Sequence, residues 1–171
     1  MKKLIQPPEH SPVLYRNHHF EVIFCWKIRE GLKRNVCLSR IKGYINFFWK
    51  AHLEDLFLTE EALLFNRVND NLSMLGNIEH MHIIEKVNLI TNGESAVRQD
   101  YIIFEERLSS NIYFEEHVLF PYLESSLSRN TVCSIAAFID QRHLSGFTDD
   151  YPDEFWENDH PHNEYPYPFH I

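Results

Sequence analysis

The chain has 171 residues, a formal net charge of −9 and 44% hydrophobic residues. This length and apolar content suit one folded domain with its own core rather than a disordered chain. An acidic protein repels phosphate backbones, and no apolar run approaches the roughly 20 residues that span a bilayer. We therefore expect neither a nucleic acid nor a membrane as a partner.

The residue composition points to helices and to a reducing compartment. Only five glycines are present, and long stretches lack proline, which favours helices over a β fold with many turns. The three cysteines, Cys25, Cys37 and Cys133, are scattered and form no paired motif. We interpret them as reduced thiols of a cytoplasmic protein without a thiolate zinc site. The first residues lack the apolar run of a signal peptide.

Hydrophobic periodicity predicts four long helices, which we place at about 14–33, 36–65, 72–91 and 96–126. Asn35 and Ser95 are the expected N-caps of the second and fourth helices, and the Asn92-Gly93 pair ends the third. Short connections imply antiparallel neighbours. The predicted fold class is therefore all-α, an up-down-up-down four-helix bundle over residues 14–127.

Segments of different character flank this bundle. Residues 1–13 contain three prolines and form an irregular lead-in, whereas residues 128–143 hold a short extra helix at about 131–142. The tail, residues 144–171, is acidic and rich in aromatic residues, which disordered tails usually lack. We expect Phe155, Trp156 and Tyr167 to dock on the folded surface.

Polar residues interrupt the apolar stripes of the predicted helices. His52 and Glu60 lie within the inner stripe of the second helix, and Glu115 lies within that of the fourth. Each of these glutamates starts an acidic pair that precedes an apolar-Leu-Phe run. A carboxylate inside an apolar stripe is costly unless it is paired or bound to a metal. The competing interpretation is that each acidic pair is a solvated face near a helix end.

Histidines on the other two helices complete a possible metal site. The first helix offers His18 or His19, between which the sequence does not decide, and the third offers His80. The chain thus consists of two helical hairpins, each with one histidine and one glutamate that can face a shared core. Side chains that project inward from facing helices hold metal pairs in four-helix bundles, and iron accepts imidazole and carboxylate ligands together.

Four stretches in order carry a resemblance to a known family. The first helix has His18-His19 followed by 24–32, the second ends with 59–65, the third holds 79–83, and the fourth ends with the Glu-rich run into Leu-Phe-Pro at 114–121. Across residues 14–127 the sequence resembles the hemerythrin-like (HHE cation-binding) family. The last stretch is the most specific of the four.

The resemblance implies a di-iron site with two departures from the family pattern. The pattern has a histidine in helices one and three and His-x-x-x-Glu in helices two and four. Glu60 and Glu115 match its two bridging glutamates, and His80 matches its helix-three histidine. The two His-x-x-x-Glu histidines are replaced by Leu56 and Asn111.

These departures indicate a degenerate site. Leucine cannot ligate a metal, whereas the amide of Asn111 can offer a carbonyl oxygen, a harder donor than imidazole. His52, one turn before Leu56, is either a partial substitute ligand or a histidine bonded within the core.

The leading functional hypothesis is therefore a non-haem iron-binding module for iron, oxygen or redox sensing or storage, with no enzymatic activity. Two alternatives stay open: a metal-free helical scaffold or interaction protein that has lost the di-iron site, and, less favoured, a small-molecule pocket in its place.

Overall fold

The computed structural model describes residues 12–144 and 147–157, and within these residues all regular structure is helical, as predicted. The first helix, α1 (Pro12–Lys33), begins at a proline, whose fixed φ angle suits the first turn of a helix. It therefore includes two residues that we had assigned to the lead-in. The rest of that lead-in lies outside the described residues.

A second helical segment continues from residue 38 to residue 68 with two π-helical turns inserted. Its pieces are α2 (Leu38–Phe48), the turn Trp49–Leu53, α3 (Glu54–Glu60), the turn Glu61–Phe65 and α4 (Asn66–Val68).

We had predicted that Asn35 caps this segment, but it does not. It has a φ of 54° just after α1, because asparagine tolerates the left-handed conformation that ends helices. Cys37 precedes α2 instead. The segment also extends beyond the predicted stop and ends before Asn69, whose φ is 52°.

The third and fourth helical segments lie close to their predicted positions. The third is α5 (Asn71–Asn92), whose first amides donate to the Asp70 carboxylate. The fourth consists of α6 (Arg98–Phe114), the π-helical turn Glu115–Leu119 and α7 (Phe120–Ser126). Ser95 is not its cap, because the chain becomes helical only at Arg98. There the Asp100 carboxylate accepts from the Val97 amide instead.

The core lies between these segments. α6 packs against both α1 and α5, and α5 also packs against α2. The extra helix, α8 (Arg129–Ile139), continues into a π-helical turn, Asp140–Leu144, and packs against α1. No helix in the described part of the chain is both long and apolar enough for a bilayer crossing. The three cysteines are unpaired, and Cys25 is buried, as expected.

The tail docks on the helices through its aromatic residues. Phe155 and Trp156 are buried, which confirms our expectation for these two residues, and Tyr167 lies outside the described residues. The Phe155 ring lies so close to Gly31 that a β-carbon there would be 2.5 Å from a ring carbon. Because glycine has no side chain at this position, the Phe155 ring of the tail can pack directly against α1.

Candidate metal centre

Two histidines and two glutamates from the four long segments meet in the interior. They are His18 on α1, Glu60 at the end of α3, His80 on α5 and Glu115 at the start of a π-helical turn. Each is at most 2% exposed. His18, Glu60 and Glu115 each offer one ligand atom, and these three atoms lie within 4.8 Å of one another.

Glu115 lies at the middle of this cluster. Its Oε2 is 3.0 Å from the Nε2 of His18, and its Oε1 is 3.0 Å from the Nε2 of His80. The Nε2 of His80 is also 3.7 Å from Oε2 of Glu60. Both imidazoles therefore point the same ring nitrogen, Nε2, toward the carboxylates of the interior.

The second glutamate of each acidic pair forms a hydrogen bond with Nδ1, the other ring nitrogen of a histidine. The Nδ1 of His80 is 3.0 Å from Glu61, and the Nδ1 of His18 is 3.1 Å from Glu116. Metal-binding histidines almost always donate their second N–H in this way, which fixes the tautomer and leaves Nε2 for the metal. The acidic pairs are therefore not simply solvated helix ends.

The helices are locally widened next to these glutamates. The π-helical turns Glu61–Phe65 and Glu115–Leu119 begin within one residue of Glu60 and at Glu115. Single π-helical turns inside α-helices are rare and often mark functional sites. Hydrophobic periodicity does not reveal such an insertion, so the sequence analysis placed uninterrupted α-helices here.

The structure separates the two histidines between which the sequence did not decide. His18 is buried in the cluster, whereas His19 is exposed and its ring contacts Phe20. Neighbouring residues on an α-helix point about 100° apart, so only one of the two can face a given core.

His52 occupies an aromatic environment rather than the cluster. Its ring stacks on Phe147 at 4.4 Å and meets Phe20 and Phe48 edge-on. Burial, together with the nearby His143, lowers its pKa to about 4. Of our two interpretations, the core histidine fits these ring contacts better than the substitute ligand, but its Nε2 has no hydrogen-bond partner among the described residues, so the ring is packed rather than bonded there.

The two positions that depart from the family pattern differ. Leu56 is fully buried and apolar. Asn111 is also buried, and its amide Nδ2 donates to Oε1 of Glu115 at 2.9 Å. Its carbonyl Oδ1 has no hydrogen-bond partner among the described residues. Asn111 therefore belongs to the cluster, and its carbonyl oxygen is available to bind a cation.

Glu21 is a buried residue of this region that the periodic pattern did not single out. It lies three residues after His18 on α1, is 1% exposed, and neither carboxylate oxygen has a hydrogen-bond partner in the described part of the chain. The spacing of three was the available signal, because it places both side chains on one helix face.

The histidines of the cluster favour their charged form. Burial by itself would lower the pKa of His18, but its hydrogen bonds to Glu115 and Glu116 outweigh burial and raise that pKa well above its usual range. The same balance, with Glu115 and Glu61, raises the pKa of His80 to about 10. Burial opposes ionisation of Glu115 too, yet the hydrogen bonds from both histidines lower its pKa to about 2.

The remaining two carboxyl groups, those of Glu21 and Glu60, have raised pKa values. Burial, with the charge of Glu115, raises the pKa of Glu21 to about 7 and that of Glu60 well above its usual range. Without a cation, protons therefore balance the negative charge in this interior. A cation would take over that role and displace protons, as metals do when they bind carboxylates and histidines.

The residues present fit a metal ion. Imidazole nitrogens and carboxylate oxygens suit iron and manganese. The unpartnered oxygens of Glu21 and Asn111 are buried acceptors that a cation would satisfy. His18, Glu60 and Glu115 would hold the ion, with His80 next to them on Oε1 of Glu115.

Comparisons with family models, curated proteins and solved structures found no match to this chain.

Proposed function

We propose that this chain is a hemerythrin-like module that binds non-haem iron in the interior of an up-down-up-down four-helix bundle and serves iron, oxygen or redox sensing or storage. The observation that carries the proposal is the meeting of His18, Glu60, His80 and Glu115, one from each long helical segment, with both Nε2 atoms directed inward. The packing of α6 on α1 and α5, and of α5 on α2, supports the bundle.

The donor set favours sensing or storage over oxygen carriage. With Leu56 and Asn111 in place of two histidines, the centre offers two imidazoles rather than four. The chemistry that a bound iron supplies is redox change and coordination of small molecules. The chain's part is to orient Nε2 of each histidine through Glu61 and Glu116 and to exclude bulk water by burial.

Anaerobic titration of the purified protein with Fe²⁺ tests the proposal. We expect saturable uptake by the wild type and loss of that uptake in Glu115→Gln, because Glu115 contacts both histidines. Glu106→Gln makes the same chemical change at an exposed position of α6 and should bind as the wild type does. A wild type that takes up no iron would refute the proposal.

Restoring the two histidines of the family pattern is a second test. The double variant Leu56→His, Asn111→His should bind iron more tightly by at least about tenfold, since imidazole is a better iron ligand than an amide or an alkyl group. The control, Leu56→Met with Asn111→Gln, perturbs the same positions without adding imidazoles. If the double variant binds no better than the parent, the degenerate-site interpretation is wrong.

One observation favours the metal-free scaffold as a second candidate. Glu115 already pairs with both histidines, and Leu56 contributes only packing. A scaffold predicts that Fe²⁺ changes neither the melting temperature nor the ion content of the protein. A metal-binding module predicts an increase in both.

A further inference from the structure

We infer that Glu21 is an additional metal ligand, and that it shifts the preference of the centre toward oxygen-seeking divalent cations, Mn²⁺ and Fe²⁺, over Zn²⁺. This inference rests on the proposed metal-binding function. The family pattern places only a histidine on the first helix, so a carboxylate from that helix is a new element of the site.

Glu21 is a buried carboxylate without a partner. Both of its oxygens are inaccessible to solvent and accept no hydrogen bond from any described residue. A buried carboxyl group without a hydrogen-bond partner is costly in either protonation state, and such groups are normally hydrogen-bonded, paired or bound to a metal.

Glu105 on α6 is a buried carboxylate with a structural role, and its surroundings can be compared with those of Glu21. It is 5% exposed, pairs with Arg29 and accepts a hydrogen bond from the Ser109 hydroxyl at 2.9 Å. Glu21 has no corresponding donor within the described ranges. A cation from outside the chain would give Glu21 the positively charged partner that Glu105 has in Arg29.

The position of Glu21 directs it to the candidate metal centre. It lies on the same face of α1 as His18, about one turn away. Its charge interacts with His18 and also with groups on the other three long segments: Glu60, His80 and Glu115. Glu21 is not one of the three residues whose ligand atoms already lie within 4.8 Å of one another, so its carboxyl group would join an ion held by His18, Glu60 and Glu115 from the α1 side.

Glu21 changes the chemical character of the donor set. With it, three carboxylates and the free carbonyl oxygen of Asn111 accompany two imidazoles. Oxygen donors suit Mn²⁺, whereas sites rich in imidazole favour Zn²⁺ and Cu²⁺. A third carboxylate also adds negative charge that offsets the positive charge of a divalent cation in a buried site.

The substitution Glu21→Gln tests this role, because it keeps the shape of the side chain and removes its charge. Isothermal titration with Mn²⁺, Fe²⁺ and Zn²⁺ should show Mn²⁺ affinity reduced by more than about tenfold, at least the loss typical of outer ligands. Zn²⁺ affinity should fall less, so the ratio of Mn²⁺ to Zn²⁺ affinity decreases. Glu30→Gln, on the same helix but paired with Lys33 at the surface, is the matched control and should bind as the wild type does.

The outcomes distinguish this inference from the function on which it rests. If the wild type and Glu21→Gln bind Mn²⁺ equally well, Glu21 is not a ligand, while the proposed function stands. If the wild type binds none of the three ions, both are overturned. Glu21→Met, an apolar residue of similar length, provides a second variant with the same expected loss if circular dichroism shows that the glutamine variant is unfolded.

Discussion

The tail-docking region and the candidate metal centre both hold buried charge, and they are built differently. Where the tail docks, the Lys27 ammonium is 2.8 Å from Asp149, the Tyr44 hydroxyl donates to the same Asp149 oxygen at 2.5 Å, and the Trp156 ring lies 3.9 Å from the ammonium. In the candidate metal centre, both oxygens of Glu21 and the carbonyl of Asn111 lack partners within the described residues.

The difference separates a structural ion pair from a candidate ligand site. At the tail, the chain itself supplies a cation and a hydroxyl for the carboxylate, although the second oxygen of Asp149 has no described partner. In the centre, two histidines partner Glu115 but leave other acceptors unsatisfied. A buried acceptor without a donor is costly. The proposed cation would partner the acceptors of the centre, whereas in the tail-docking region Lys27 already pairs with Asp149.

The largest expected loss of stability comes from a substitution that disrupts the tail-docking region. Trp156→Ala should lower the free energy of unfolding by about 4 kcal/mol, because it leaves a cavity next to Phe155 and Tyr44 and removes the ring beneath Lys27. Urea denaturation measures this loss. Phe138→Ala removes an exposed aromatic side chain of α8 and should have little effect. Equal losses in the two variants would show that the tail contributes no packing energy.

A second prediction isolates the ion pair itself. Lys27→Met should cost about 3 kcal/mol, because it leaves the Asp149 carboxylate buried without its cation, and adding Asp149→Leu should recover most of that loss. Lys33→Met removes a surface partner of Glu30 and should change stability by less than about 1 kcal/mol. Neither variant should alter metal affinity. A Lys27 effect on iron binding would contradict the separation of the two regions.

A third prediction concerns acid stability and His52. The folded protein holds the pKa of His52 near 4, whereas an unfolded chain has the ordinary value of about 6.5. The unfolded state therefore binds the extra proton first, and stability is full above about pH 6.5 and is lost as the pH falls toward 4. The loss of unfolding free energy from this group is about 3 kcal/mol.

Urea denaturation at several pH values tests this origin of acid sensitivity. In His52→Phe the free energy of unfolding should fall less between pH 7 and pH 4 than in the wild type, because phenylalanine suits the neighbouring rings and does not titrate. An identical pH dependence in both proteins would assign the acid sensitivity to other groups.

The smallest expected effect concerns Glu61 and Glu116, the outer glutamates that hydrogen-bond to Nδ1 of the two histidines. Glu61→Gln and Glu116→Gln should each reduce iron affinity about tenfold, or about 1.4 kcal/mol, because each orients a histidine through Nδ1. Glu54→Gln, which removes a surface partner of Lys50, is the control. Unchanged affinity in all three variants would mean that the outer carboxylates have no positioning role.

The sequence by itself determined the helical class, the approximate bounds of the long helices and the inward positions of Glu60, His80 and Glu115. Those features follow from local periodicity, because residues three or four apart share a helix face wherever that helix is placed. It also predicted the docking of Phe155 and Trp156, because large aromatic side chains are costly to leave in water.

Tertiary structure alone decided which of His18 and His19 turns inward, where π-helical turns widen the helices, and that Asn35 ends α1 rather than starting α2. It also revealed Glu21. Rotation of a helix about its axis is set by packing against its neighbours, and the periodic pattern leaves it uncertain by about one residue, or 100°. Whether a buried carboxylate has a partner depends on helices far apart in the chain, which no local pattern records.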